Sequence, residues 1–183
     1  MPSKVEQFRD GIFSLHTNFG ELAQLMIEKL EGFKPAKKKY YDLLDKDNNK
    51  IEVKFSRAKK KLNSLNASNV IEQCIAATVD SRILLESEAT SVTFDCNIQQ
   101  IKIDEFDFLY YGIFFKDTIV IFKAPKDEVP KMPGYSIQHK DGVEYQFHIN
   151  KANYNTHAKY FYKRLTYKEL YKLFSPKKKR SAC

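Results

Sequence analysis

The sequence is poor in cysteine and has no long apolar run, no internal repeat and no linker rich in glycine, serine or proline. Its three cysteines, Cys74, Cys96 and Cys183, are an odd number at wide spacing, with no CxxC pair and no Cys/His cluster. This usage is typical of a reducing cytoplasm and argues against a structural zinc site. No stretch approaches the roughly 18 uncharged apolar residues of a membrane span, and the first residues lack the apolar core of a signal peptide. We therefore expect a soluble, cytoplasmic protein that is not secreted and has no membrane partner.

Length and charge indicate one compact domain with a polyanionic partner. The chain has 183 residues, 43% of them apolar, which suits one domain over residues 1–174 and a basic tail over residues 175–183. Its 31 lysines and arginines exceed its 23 acidic residues and give a net charge of +8. Such a balance favours nucleic acid or an anionic membrane surface. Nucleic acid is the better fit, because no amphipathic helix carries a basic face opposite a long apolar one.

The pattern of apolar residues predicts alternating helices and strands. Spacings of three and four indicate helices, and β-branched or aromatic runs around polar turns indicate strands. In chain order we predict one broken helix or two short ones over residues 4–31, a hairpin turning within residues 46–50, a helix from Asn69 to about residue 85, a strand over residues 91–97, two buried strands within residues 107–124, a hairpin turning at Asp141 and Gly142, and a helix capped by Thr166 and Glu169. These elements predict an α/β (α+β) fold with helices packed on a sheet.

The predicted strand IEVKF places an acidic residue beside a lysine. Because side chains alternate along a strand, Glu52 and Lys54 share one face. This is the only place in the sequence where an acidic residue precedes a lysine by two positions. A hairpin that turns on residues 47–49 sets Asp42 opposite Lys54, on the same face. Asp42, Glu52 and Lys54 are therefore the candidate catalytic residues.

The two carboxylates make this face a candidate metal site. Converging carboxylates disfavour each other's charge unless a cation lies between them, and oxygen ligands of this kind suit Mg²⁺. The main-chain carbonyl of Val53 is a further candidate ligand. Such an ion lowers the pKa of a bound water and polarises a phosphoryl oxygen, while Lys54 can orient the attacking water. Asp42, Glu52 and Lys54 therefore suit phosphodiester hydrolysis.

Basic residues flank the candidate site at the open end of the hairpin. The candidate contacts for DNA phosphates are two lysine triplets and two residues of the second strand: Lys37, Lys38, Lys39, Lys59, Lys60, Lys61, Ser56 and Arg57. An alternative interpretation is a solvated hairpin face on which Glu52 and Lys54 form a salt bridge. The position of Asp42, the two basic flanks and the net charge together favour a nuclease.

Asp42, nine intervening residues and then Glu52-x-Lys54, on a hairpin behind an N-terminal helix, resemble the PD-(D/E)xK nuclease superfamily. The size and layout resemble a small type II restriction endonuclease of a bacterial or phage-type cell. One departure is that Tyr41, and not proline, precedes Asp42. The resemblance implies a restriction-endonuclease-like mixed central sheet flanked by helices and a Mg²⁺-dependent double-strand cut. It also implies that Asp42 and Glu52 are metal ligands and that Lys54 stands beside the attacking water.

Two further expectations concern the N-terminal helix and the oligomeric state. Some members of the superfamily carry an additional glutamate that reaches the metal site from this helix, and Glu21 is the matching position. An equal alternative for Glu21 is a capping box with Asn18. Because a symmetric duplex site is most simply cut by two equivalent active sites, we expect a homodimer acting on double-stranded DNA.

A region rich in histidines and amides follows the predicted core strands. Its side chains offer the paired donors and acceptors that read base edges in the major groove. The candidate DNA-reading residues are Gln138, His139, Lys140, Gln146, His148, Asn150, Asn153, Asn155 and His157. A surface loop without a ligand is an equally good interpretation, and His148, Asn150 and His157 form a remote second candidate for a His-metal nuclease site.

Two alternatives to a restriction-type nuclease stay open. The first is a repair, junction-resolving or nicking nuclease subunit that takes its specificity from a partner. The second is a non-catalytic nucleic-acid-binding domain, for which binding is independent of Mg²⁺ and no strand is cut.

Overall fold

The computed structural model of the protein describes residues 1–15, 18–36, 40–61, 63–77, 82–138 and 143–176. Within these ranges the helices are α1 (Lys4–Ser14), α2 (Phe19–Glu31), α3 (Val70–Ala76) and α4 (Tyr167–Phe174). Single 3₁₀ segments cover Glu86–Glu88, Ile103–Glu105, Lys126–Lys131 and Tyr154–Tyr160. None of the described helices is long and apolar enough to cross a membrane. The prediction of two short helices within residues 4–31 is confirmed.

The strands form two sheets. The first is six-stranded, in the order β1 (Lys34–Pro35), β2 (Leu43–Leu44), β3 (Lys50–Arg57), β6 (Phe108–Phe114), β7 (Thr118–Pro125) and β10 (Phe161–Thr166). The second is four-stranded, in the order β4 (Lys59–Lys60), β5 (Phe94–Ile101), β9 (Tyr145–Ile149) and β8 (Ser136–Ile137). The strands β3 and β6 run parallel, whereas the other paired neighbours run antiparallel. The chain is therefore of mixed α/β class with a mixed central sheet, as predicted.

Helices cover one face of the six-stranded sheet, and the second sheet covers the other. Because side chains alternate along β6, Tyr110 and Phe114 pack with α1, α2 and α4, whereas Tyr111 packs with Phe147 of the second sheet. The expectation that helices flank the central sheet therefore holds for one face only. A second sheet can take the other face because β5 alternates buried apolar with exposed polar residues, and its apolar side faces the core.

Local sequence signals account well for two of these elements. Residues of β6 and β7 are buried along nearly their whole length and turn at Lys116 and Asp117, as their apolar runs predict. Helix α4 begins with a capping box: the Glu169 N–H donates to Thr166 Oγ1 at 3.2 Å, and the Thr166 N–H donates to the Glu169 carboxylate at 2.8 Å. The helix ends at Phe174, two residues before Pro176, which cannot continue it.

Other predictions need correction or fall elsewhere. Helix α3 ends at Ala76, well before residue 85, and Ile83 forms an isolated β-bridge with Lys59 instead. Asn18 makes no side-chain capping bond at the start of α2, so the predicted capping box with Glu21 is wrong. The strands β8 and β9 pair antiparallel, but the turn that we predict at Asp141 and Gly142 lies outside the described residues, as does the tail from residue 177 onward.

Candidate active site

Asp42 lies immediately before β2 and is held against β3. Its carboxylate oxygen Oδ2 accepts a hydrogen bond from the Val53 N–H at 2.8 Å. Its own N–H donates to the Ile51 carbonyl at 3.0 Å, and Gln24 of α2 donates to its carbonyl at 3.3 Å. These contacts fix both the backbone and the side chain of Asp42. The carboxylate is thereby oriented before any ligand is present.

The hairpin register differs by two residues from the predicted one. Leu43 pairs with Ile51, so the prediction that Asp42 lies opposite Lys54 is wrong. The Asp45 carboxylate closes the turn earlier by accepting hydrogen bonds from two N–H groups of the turn, at 2.9 and 2.8 Å. Because a shift of two residues keeps the alternation of side chains, Asp42 stays on the predicted face.

Glu52 is a buried carboxylate paired with a lysine. The residue exposes only 6% of its surface, and its Oε1 lies 2.7 Å from Lys54 Nζ. Burial raises the pKa of Glu52 to about 7; the Lys54 ammonium opposes this shift, and the negative charges of Asp42 and Glu105 add to it. The Glu52 carboxyl therefore keeps its proton to a higher pH than an exposed glutamate does. A cation bound beside it stabilises the charged form.

Asp42, Glu52 and Lys54 line one cavity of about 200 Å³. Sequence reasoning missed the other described residues of its wall, which are Gln100, Lys102, Glu105, Glu144, Tyr40 and Tyr41. Glu105 comes close because the parallel pairing of β3 with β6 brings the segment before β6 to the site. No local pattern marks such residues, since their position depends on long-range strand pairing.

The donor groups at this cavity suit Mg²⁺. The carboxylates of Asp42 and Glu52 are hard oxygen ligands, and the Val53 carbonyl is the further ligand that the sequence predicts. Among the described residues, no group of three or more His, Cys, Asp or Glu side chains is arranged to hold a metal ion. The candidate protein ligands are therefore two carboxylates and one main-chain carbonyl.

Glu21 lies on the exposed side of the first turn of α2. The α2 residues that line the cavity leading away from Asp42 are Phe19, Gly20 and Gln24. Within the part of the chain that the structure describes, Gln24 makes the hydrogen bond from α2 to Asp42. A role for Glu21 at the metal site stays a prediction, and Gln24 is the helix residue that the structure brings there.

A basic groove continues from the site along β3. A cavity of about 460 Å³ begins at Asp42 and Lys54, and a second cavity of about 770 Å³ follows it. The two cavities share a wall at Ser56, Arg57, Lys59 and Asn97. The predicted phosphate contacts that line the groove are Ser56, Arg57, Lys59, Lys60 and Lys61. Residues 37–39, the other predicted lysine triplet, lie outside the described residues.

The predicted base-reading residues are only partly brought together. His148 and Asn150 line the second cavity, and His148 Nδ1 lies 2.7 Å from the Asp95 carboxylate. Asn153 supports the local turn, because its amide donates to the His148 carbonyl at 2.7 Å. Asn155 lines a separate cavity, whose wall includes residues of β7 and β10. Residues 139 and 140 lie outside the described residues.

Amide side chains of β5, which are not among the predicted site residues, line the groove next to Asp42. They are Asn97, Gln99 and Gln100. Asn97 donates to the Gln146 side chain at 3.3 Å, and Gln138 accepts from the Gln100 N–H at 2.6 Å. Gln100 has a left-handed φ of 59°, where the pairing of β5 with β9 shifts register. Such bulges re-aim side chains, and here the bulge lies at the wall of both cavities next to Asp42.

The prediction that His157 contacts DNA is wrong. Its side chain is fully buried between the sheets, where Nδ1 lies 2.9 Å from the Tyr111 hydroxyl and the ring stacks on Phe147. Burial lowers the pKa of His157 to about 4, so the ring is neutral at pH 7. The second candidate site, which needed His157 beside His148 and Asn150 as an accessible ligand, is excluded for the same reason.

The site as a whole joins two carboxylates and a lysine to a groove lined with cations and amides. Its polar atoms come from β3, the segment before β2, the 3₁₀ segment before β6 and the bulged strand β5. No model of a known protein family matches the chain, and no curated protein shows significant similarity to it.

Proposed function

We propose that the protein is a Mg²⁺-dependent endonuclease that hydrolyses phosphodiester bonds of double-stranded DNA, with a PD-(D/E)xK-type site and a restriction-endonuclease-like core. The observation that carries this proposal is the meeting of Asp42, Glu52 and Lys54 at one cavity that opens into a basic groove. A solvated hairpin face does not account for a glutamate that is 6% exposed. We further propose a type II restriction enzyme that acts as a homodimer.

The residues divide the chemistry among them. Asp42 and Glu52, with the Val53 carbonyl, would hold Mg²⁺, which lowers the pKa of a bound water and polarises the phosphoryl oxygen. Lys54 lies close enough to Glu52 to orient the attacking water and to neutralise charge that develops on the phosphate. The Val53 N–H keeps the Asp42 carboxylate in place throughout. Cations of the groove hold the DNA backbone over the site.

A non-catalytic nucleic-acid-binding domain is the second candidate function. The observation that favours it is the 2.7 Å pairing of Lys54 with Glu52, which satisfies both charges without a metal. For that function, binding is independent of Mg²⁺ and insensitive to Asp42→Asn. A repair, junction-resolving or nicking subunit shares the chemistry of the main proposal and differs in its products.

The test is cleavage of supercoiled and linear plasmid DNA by the purified protein with Mg²⁺, with the products separated on a gel. We expect discrete fragments from the wild type and none from Asp42→Asn, Glu52→Ala or Lys54→Ala. Asp47→Asn, an exposed change in the turn of the same hairpin, is the matched control and should cut normally. Binding in EDTA should survive in all four variants, since the groove cations hold the phosphates.

Each alternative function predicts a different pattern of DNA products on the gel. Intact DNA with Mg²⁺ or Mn²⁺ across varied substrates, together with retained binding, supports the binding-domain function. Nicked circles alone support a nicking subunit. Cleavage by Glu52→Ala at the wild-type rate contradicts the proposed site.

A further inference from the structure

The part of the groove farthest from Asp42 is rich in positive charge. The described residues that line its 770 Å³ cavity include five basic ones: Arg57, Lys59, Lys60, Lys61 and Arg82. Asp95 is the single acidic residue among the described lining residues, and its Oδ1 lies 2.7 Å from His148 Nδ1. Lys60 is partly neutralised by Glu88, 3.6 Å away. Among the described lining residues, none compensates the charges of the other four basic side chains in the same way.

Three of these cations lie close together. The pKa of Lys59 is lowered by partial burial and by the positive charges of Arg57 and Arg82. Like charges brought together in this way oppose folding unless something offsets their repulsion. An anion bound among them removes that repulsion, and phosphate oxygens are strong acceptors for guanidinium and ammonium groups.

Arg57 is fixed in place at the boundary between the two cavities. Its Nη2 donates to the carbonyls of Leu15 and Ile12, and its guanidinium lies 4.2 Å from the centre of the Phe19 ring. A guanidinium held on two sides loses little conformational freedom when it binds an anion. Arg57 is therefore organised for a ligand before the ligand arrives.

The two arginines also have unsatisfied donors. In the described part of the chain, the Nε atoms of Arg57 and Arg82 are buried without a hydrogen-bond acceptor. Buried donors without partners are rare in proteins and indicate an acceptor that comes from water or a ligand. The arginines that carry these donors line one cationic cavity, where an oxyanion is the acceptor that the charge of the lining favours.

We propose that Arg57, Lys59 and Arg82 form a phosphate-binding subsite that takes an internal phosphodiester of the strand held at Asp42 and Glu52. The proposal rests on the nuclease function, because it needs the strand to run through both cavities. Arg57 lies five residues beyond Glu52 on β3, about 17 Å at strand spacing, which is a few nucleotides from the bond to be cut. The shared wall at Ser56 and Asn97 gives the strand a continuous path.

The experiment measures binding of a fluorescent DNA duplex in EDTA at a series of salt concentrations. The variants are Arg82→Gln and Lys59→Gln, and the charge-matched control is Lys168→Gln on the exposed side of α4. We expect each groove variant to bind about tenfold more weakly at moderate salt and to reduce the slope of log K against log salt by about 0.9, the value for one lost phosphate contact. The control should match the wild type.

A second measurement does not depend on DNA. Inorganic phosphate should raise the melting temperature of the wild type more than chloride does at equal ionic strength, and this gain should be smaller in both groove variants. Lys59 is only partly buried, so Lys59→Gln should keep the fold even where Arg82→Gln perturbs packing. Unchanged DNA binding in both folded variants overturns the subsite.

Two comparisons show which kind of phosphate binds and whether the subsite stands without the nuclease function. Duplexes with and without 5′-phosphates should show the same loss in Arg82→Gln, whereas a loss confined to phosphorylated ends assigns a terminal monophosphate and overturns the internal position. All binding is measured in EDTA and is therefore independent of cleavage. If the wild type does not cut DNA but Arg82→Gln still weakens binding, the phosphate-binding subsite is supported and only the proposed nuclease function is contradicted.

Discussion

The most informative single residue is Glu52, a buried carboxyl whose pKa is raised to about 7 from 4.5. The folded protein therefore holds the Glu52 proton more tightly than the unfolded chain does. The stability that this contributes is fully present below pH 4.5 and is lost as the pH rises through 7. We expect Glu52→Gln to gain stability relative to the wild type between pH 5 and pH 8 in EDTA, by up to about 3 kcal/mol.

Urea unfolding at several pH values measures this difference. The pKa of His157 is lowered to about 4, so the free energy of unfolding also decreases as the pH falls. This decrease is the same in wild type and in Glu52→Gln, and it cancels in the comparison. Parallel stability curves for wild type and Glu52→Gln would show that the Glu52 carboxyl is not perturbed in the folded protein.

Mg²⁺ binding at Glu52 should also change the thermal stability of the protein. A divalent ion that binds only the folded protein stabilises it in proportion to its occupancy, and it requires ionised carboxylates. We expect Mg²⁺ to raise the melting temperature of the wild type at pH 8, with a smaller rise at pH 6, where Glu52 is mostly protonated. Asp42→Asn and Glu52→Gln should lose this rise, and Asp47→Asn should keep it. An equal rise in all four proteins places the ion elsewhere.

Strand β6 offers the sharpest test at the scale of an element. Gly112 of β6 lies between β3 and β7, where an added Cβ would lie 2.5 Å from the Val120 carbonyl oxygen and collide with the Phe55 ring. The backbone carbonyl cannot move aside, so we expect Gly112→Ala to cost about 2 kcal/mol or more. Gly11→Ala in α1, where no atom lies within 4 Å, should instead stabilise by about 0.5–1 kcal/mol. Urea unfolding of both variants compares them, and equal stabilities would contradict the tight packing of β6.

The sequence predicts correctly those elements that are determined by residues close together in the chain. Apolar runs determine β6 and β7, and the capping box determines the start of α4. The register at Asp42 differs from the predicted one because the Asp45 carboxylate, and not the strand pattern, closes the turn. The parallel pairing of β3 with β6 joins residues more than fifty positions apart, so Glu105 had no local signal. His157 was misplaced because nothing near it in sequence shows that two sheets close over it.

At the scale of the molecule, the candidate site lies where the two sheets meet. The chain leaves the six-stranded sheet at Arg57, passes through the buried Ala58 and enters the second sheet at Lys59. Polar residues of β3 and β5 are thereby brought to one groove, although they belong to different sheets. The net charge of +8 is visible in composition, but the clustering of Arg57, Lys59, Lys60, Lys61 and Arg82 along this junction follows from the fold.

The proposed homodimer is the prediction that belongs to the whole molecule. Cutting both strands of a symmetric site requires two working active sites, one in each copy. We therefore expect that co-expressing the wild type with an excess of Glu52→Ala yields mixed dimers that cut only one strand. Supercoiled plasmid should then pass mainly to open circles, whereas wild type at the same active concentration gives linear DNA. If the mixed preparation gives linear DNA in the same proportion, each chain cuts both strands independently, and the two-site dimer must be abandoned while the chemistry at Glu52 stands.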